Sequence, residues 1–195
     1  MNERWNEEKI WLYPNYRFIY CSNCLVSEQR VIVCPNFMNI RLVTKKDLPA
    51  ISVLNEHALP HVNSISLEKL EWFTENSKLF VVAEKNENII GFMIVLGPGV
   101  DYDSLNYQYF EAHYNSFDYV DRIVVDESLK RQGTGTALYN HLIENSTTRF
   151  ITCEVNLSPP NPMSIKFHEQ FGFKEVARQK SENGKKLVSL RVRNI

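Results

Sequence analysis

The sequence predicts an α/β fold: a mixed central sheet of about seven strands flanked by about four helices. Three observations carry that prediction. Short runs rich in β-branched and aromatic residues alternate with helical periods through the middle of the chain. Two pairs of such runs flank short polar turns, at 85–88 and at Asn183-Gly184, and read as hairpins. Between them, Gly133-Thr134-Gly135 hands a strand directly to a helix.

The regular pattern starts near Met38. Asn39 to Val43 reads as a strand. Thr44 opens a helix with Asp47 three residues on, a capping-box spacing, and either Pro49 falls in its first turn or the helix begins slightly later. Ile51, Leu54 and Ala58 form the apolar face of that helix. After a turn at 60–66, Leu67, Leu70 and Phe73 carry a second helix, with Trp72 adding to its apolar side. Leu79 to Ala83 and Ile89 to Leu96 form the first hairpin, which Gly97-Pro98-Gly99 ends sharply. Asp101 to Ser116 shows no period and is expected to be irregular. Its Tyr102, Tyr107, Tyr109, Phe110 and Tyr114 either wall a pocket or pack a long loop.

Tyr119 to Val125 is the central strand, and a helix follows the glycines to about Asn145. Phe150 to Val155 is the next strand. Asn161-Pro162 then starts a helix, Asn as N-cap and Pro at its first position, and Gly172 ends it. Its apolar side is Ile165, Phe167 and Phe171. Phe173 to Arg178 and Leu187 to Val192 make the final hairpin. Residues 1–37 hold seven large aromatics but no sustained period, apart from one short strand expected at 31–33. They read as an accessory extension or as upstream sequence translated from a misassigned start. The functional domain is therefore expected at 38–195.

A chain of 195 residues suits one domain with a sizeable core. The net charge of −1 gives no field for binding a polyanion, so a nucleic-acid partner is not expected. No apolar run reaches the ~18 residues of a membrane span, and the polar N-terminus is no signal peptide. A cytoplasmic protein with reduced thiols is expected. Cys21 and Cys24 form a lone C-x-x-C with only Cys34 nearby, short of the roughly four ligands of a zinc site. No metal is expected. Cys153 lies in an apolar strand. Exposed edge strands would permit a homodimer.

The stretch with chemistry in it is FDYVDRIVVDESLKRQGTGTALY, residues 117–139. A strand that passes through glycines into a helix aims several backbone N–H groups at one point, with the helix dipole behind them. That is an anion site; the plain reading is a tight strand-to-helix turn. A Walker loop is excluded, because no Gly-Lys-Ser/Thr follows. A dinucleotide fingerprint is excluded, because Leu138 stands where the third glycine belongs. What remains is R/Q-x-x-G-x-G/A. Lys130 to Gly135 resembles the acyl-CoA pyrophosphate loop of the GNAT N-acetyltransferases, with Lys130 in the place of the usual Arg or Gln. Asn161 to Phe173, NPMSIKFHEQFGF, resembles that family's other signature, N-x-x-S-x-x-x-Y-x-x-x-G-F, with His168 where many members have Tyr. The fuller strings are similar to an uncharacterised bacterial subgroup that carries Phe-His.

The resemblance covers about residues 38–195 and implies the GNAT fold with acetyl-CoA as acyl donor. It implies that main-chain N–H groups of Gln132, Gly133, Thr134, Gly135 and Thr136 hold the pyrophosphate. Val124 and Val125 would pair with the pantetheine arm, and Asn161 and Ser164 would lie along the cofactor. Lys130 and Arg131 either neutralise phosphate or are solvated cations. Glu154, a carboxylate in an apolar strand, stands where several members carry a general base; otherwise it is half of a buried ion pair with Arg122. Strand parity sends Asp121 and Arg122 to opposite faces, so only one of them lines the acceptor site. His168 is a general acid or a packed, capping histidine. Asn55, Glu56, Tyr107 and Arg122 are expected at the acceptor. The implied reaction is direct transfer of acetyl to a primary amine of a small molecule or peptide. The alternative is a non-catalytic acyl-CoA-binding sensor.

Overall fold

The computed structural model describes residues 38–181 and 184–195. The C-x-x-C, Cys34, the strand expected at 31–33 and Asn183 lie outside the described residues.

Seven strands form one sheet: β1 Met38–Leu42, β2 Leu79–Lys85, β3 Asn88–Leu96, β4 Phe117–Val125, β5 Phe150–Ser158, β6 Lys174–Ser181 and β7 Lys186–Asn194. The spatial order is β1-β2-β3-β4-β5-β7-β6. Only β4 and β5 run parallel; every other neighbouring pair is antiparallel. Among the described residues, five α-helices cover the sheet: α1 Leu48–His57, α2 Leu67–Asn76, α3 Leu105–His113, α4 Thr134–Asn145 and α5 Pro162–Gln170.

Both faces of the sheet are covered, which is why β2 and β3 read as continuous apolar runs. On one face Phe80, Val82, Phe92, Ile94 and Tyr119 pack with Ile51, Leu70, Phe73, Tyr107 and Phe110 of α1 to α3. On the other, Val81, Ala83, Met93, Val95 and Val120 pack with Leu138, Tyr139 and Leu142 of α4. Each buried Val, Leu, Ile, Met or Phe side chain among them contributes about 1.5–3 kcal/mol. Successive residues alternate between the two cores, as the strand period demands.

Two departures from the sequence reading stand out. The segment at 101–116 is not irregular, since it contains α3. Ser104 caps that helix by accepting a hydrogen bond from the Tyr107 amide, and Tyr107 and Phe110 supply its buried stripe. On α2, Leu67 is exposed, and Leu70 and Phe73 form the buried face with Trp72 packed beside them. The start of α1 follows the expected pattern. A single 3-10 turn, Lys45–Asp47, precedes it, and the Thr44 amide donates to Asp47 Oδ2 at 2.7 Å. Pro49 sits in the first turn, where it removes no intrahelical bond.

Candidate active site

The site exists because two strands stop pairing. The parallel ladder joins β4 to β5 from Phe117–Phe150 to Val120–Cys153 and goes no further. Both strands continue, β4 to Val125 and β5 to Ser158. A cavity of about 1150 Å³ opens around that divergence, reaching from the α1–α2 loop to the N-terminus of α4 and the flank of α5.

At one end lies the glycine turn. Gly133 is the N-cap of α4 with φ 86°, a left-handed conformation, and a Cβ there would meet nothing within 4 Å. The space above this backbone is therefore open. The first bond of α4 runs from the Ala137 amide to the Gly133 carbonyl at 2.9 Å. Among the described residues, no carbonyl or side chain takes the amides of 132–136. They form the bare positive end of a three-turn helix. Gly133, Thr134, Gly135 and Thr136 line the cavity, as do Lys130 and Arg131; Gln132 does not. Lys130 Nζ donates to Glu127 Oε2 at 2.5 Å on an exposed turn, an interaction worth little in solvent.

Two other glycines let α4 sit where it does. A Cβ on Gly135 would lie 3.3 Å from the Phe167 ring of α5. A Cβ on Gly91 of β3 would come 2.9 Å from the Val124 carbonyl, beside Thr134 and Leu138. Gly91 thus allows the close seat of α4 on the sheet, a role that a lone glycine in an apolar run does not reveal.

Helix α5 forms a second wall. Asn161 caps it, its Oδ1 accepting from the Ser164 amide at 3.2 Å. Asn161, Ser164 and His168 all line the cavity, with Val124 and Val125 of β4. The His168 ring is buried with both nitrogens engaged. Nδ1 lies 2.7 Å from the Ser164 carbonyl, which can only accept, so Nδ1 carries the proton. Nε2 therefore accepts from the Tyr139 hydroxyl at 2.8 Å. Burial lowers this imidazole to about 4 despite the Ser164 carbonyl. A neutral ring with its proton turned back on its own helix differs from the general acid expected at this position. It orients Tyr139.

Glu154 faces the same cavity from β5. Its Oε2 accepts from Tyr119 at 2.8 Å. Burial, with Asp121 nearby, pushes the carboxyl up to about 7, while Tyr119, Asn106 and Arg122 oppose the rise. The ion pair with Arg122, the other reading of this carboxylate, is not formed. Arg122 Nε donates to Asp121 Oδ2 at 2.9 Å, and its Nη1 donates to Asn55 Oδ1 at 2.8 Å.

The backbone explains this. Ile94 pairs with Arg122 and Val95 with Val120, so Asp121 is the extra residue of a β-bulge. The bulge breaks strand parity, and Asp121 and Arg122 come to the same face; both line the cavity. Tyr102 completes the group, donating to Asp121 Oδ1 at 2.5 Å. Tyr102, offered by the sequence as a pocket wall or as loop packing, lines the cavity with Asn106, and Tyr119 lies buried behind them; sequence reasoning assigned no site role to Asn106 or Tyr119. Asn106 and Tyr119 carry no motif, and their proximity to Glu154 depends on tertiary packing alone.

Three residues expected at the acceptor lie behind the wall. Asn55 is fully buried and donates to the Asn63 carbonyl at 2.9 Å, tying α1 to the loop that follows it. Glu56 is exposed and accepts from Ser64 Oγ at 2.8 Å. Tyr107 is fully buried, its hydroxyl donating to the Gly97 carbonyl at 2.9 Å and accepting from the Val100 amide at 3.0 Å. None of the three lines the cavity. They brace the segments that do.

Comparison with known proteins agrees with this geometry. The model of the acetyltransferase (GNAT) family matches residues 48–173. No curated protein matches the sequence. Among solved structures, the ribosomal-protein-S18-alanine N-acetyltransferase from Escherichia coli is similar at a TM-score of 0.63 with 22% identity, over 82% of this chain and 94% of that one. Ard1 from Thermoplasma volcanium superimposes at 0.66 with 16% identity, over 81% and 97%. The putative acetyltransferase yncA from Salmonella typhimurium, solved with acetyl-CoA, does so at 0.61 with 18% identity, over 81% and 94%. At these identities the likeness is one of fold.

Proposed function

The chain belongs to the GNAT acetyltransferase family, and on that premise we propose that it transfers acetyl from acetyl-CoA directly to a primary amine of a small molecule or peptide. The observation that carries this reading is a single cavity that joins unpartnered helix N-terminal amides to a carboxyl of raised affinity for protons.

The residues present fit the donor. The amides of 132–136 would hold its pyrophosphate, and open space over Gly133 admits it. Lys130 and Arg131 would add charge. The main chain at Val124 and Val125 would pair with the arm past the point where β5 leaves β4. Asn161 and Ser164 would flank it from α5. When bound, acetyl-CoA supplies an acyl group activated for attack by a neutral amine.

Glu154 would supply the base. An alkylamine with pKa near ~10 is about a thousandth neutral at pH 7, so freeing it costs roughly 4 kcal/mol. A carboxylate titrating near 7 is matched to that task. A thiolate with pKa near ~8.5 leaves without a dedicated acid, which accords with the neutral, engaged state of His168. Arg122, with Asp121 beside it, would contact the acceptor. Residues 38–195 would carry the activity and 1–37 would be accessory, in the cytoplasm where the donor is available.

The test is a panel of small amines, polyamines, antibiotics and peptide N-termini supplied with acetyl-CoA, read by release of free thiol. Turnover with one class supports the proposal. Tight CoA binding with no turnover on any amine overturns it in favour of a sensor.

A further inference from the structure

Two groups that no motif marks stand beside Glu154. Tyr119 of β4 donates to its Oε2 at 2.8 Å. The Asn106 side chain, from the first turn of α3, also lies near the carboxylate and favours its charged form. Asn106 is itself fixed: its Oδ1 accepts from Gln179 Nε2 of β6 at 3.1 Å. With that oxygen taken, Nδ2 is the donor that the Asn106 amide has left to offer the carboxylate. Tyr119 is fully buried, with the rings of Tyr107 and Phe110 at 5.5 and 5.8 Å. Asn106 is also buried. The set draws on α3, β4, β5 and β6, so each member's position is set by the fold and not by its own flexibility.

We propose that Tyr119 and Asn106 are positioning residues: two donors that hold the Glu154 carboxylate at the cavity wall and favour its charged form, with Gln179 fixing which way the Asn106 amide faces. This rests on reading Glu154 as the base. Burial disfavours the charged carboxylate, and Asp121 of β4 repels it. Arg122 of β4 attracts it but is committed to Asp121 and Asn55. Tyr102, in the segment before α3, spends its proton on Asp121. From α4, Tyr139 spends its own on His168, and the neighbouring Cys153 thiol is buried and neutral. Tyr119 and Asn106 are left as the donors that offset burial. Loss of either shifts the balance to the protonated acid, so the carboxyl ionises at higher pH.

The experiment is a carboxyl-carbon NMR titration of the full chain, the Glu154 signal identified by its disappearance in Glu154→Gln. Tyr119→Phe and Asn106→Leu should each move the midpoint upward by about one pH unit, and Gln179→Leu in the same direction by less. If the transfer reading holds, the pH profile of turnover moves in parallel. Activity then falls about fivefold at pH 7 and hardly at all at pH 9. A purely structural role would lower activity evenly at every pH and leave the midpoint in place. Midpoints unmoved in both Tyr119→Phe and Asn106→Leu overturn the proposal, whatever turnover does. Midpoints that move with no turnover on any amine uphold the clamp and overturn the transfer reading instead.

Discussion

Replacing Glu154 by glutamine should disable the enzyme and stabilise the fold at the same time. The carboxyl's ordinary value is 4.5 and the folded protein raises it to about 7. Between those limits the folded state binds more protons than the unfolded one, so stability falls as pH rises through that window. The interval corresponds to roughly 3 kcal/mol. Water reaching the carboxylate through the cavity reduces this to roughly 2 kcal/mol. Glutamine keeps the shape and carries no charge. The variant should therefore match the wild type near pH 4 and exceed it by roughly 2 kcal/mol at pH 8. For a domain of this size that raises Tm by about 4–8 °C. Turnover should fall by about 10²- to 10⁴-fold, and the limb of the kcat profile near pH 7 should vanish. Thermal unfolding and initial rates at matched pH values check both halves. A stability difference equal at pH 4 and pH 8, or a kcat limb that survives in the variant, would refute the reasoning.

Other substitutions separate grip from scaffold. Gly133→Ala should cost about 1 kcal/mol through its positive φ, and Gly99→Ala, at φ 83° in open space and off the cavity, should cost the same; only the first should weaken CoA binding, by at least about tenfold, in a titration of both variants. Tyr107→Phe strands the Gly97 carbonyl and the Val100 amide, so the protein should lose about 1–3 kcal/mol in denaturant with kcat/KM unchanged; lost activity at full stability would instead make Tyr107 an acceptor contact. His168→Phe leaves the Tyr139 hydroxyl without its acceptor, at about 1–3 kcal/mol of stability, while turnover stays within a few-fold. A drop of about a hundredfold or more in kcat would restore the acid role to the histidine.

What could be read from the residues alone was whatever is local. The capping spacing of Thr44 and Asp47, the Asn-Pro start of α5 and the strand-to-helix glycines state their geometry within a few positions. So do the apolar runs of β2 and β3, which need only a sheet covered on both faces. The bulge at Asp121 is invisible locally, because an extra residue in a strand depends on the partner's register; assuming strict parity separated two side chains that the fold joins. Helix α3 is concealed for another reason. Its tyrosines are spread round the helix, and only Tyr107 and Phe110 among its large side chains are buried. Asn55 is a buried polar residue whose partner Arg122 lies on a distant strand, so its bracing role emerges only once α1 packs on the sheet.

The central claim is that bare amides at the start of α4 grip a pyrophosphate. Its most direct measurement is a proton–nitrogen NMR titration of the full chain with CoA. The amide resonances of 132–136 should move downfield together and saturate, while those of β1, an edge strand off the cavity, stay in place. Saturating CoA that leaves the 132–136 resonances unmoved would contradict it.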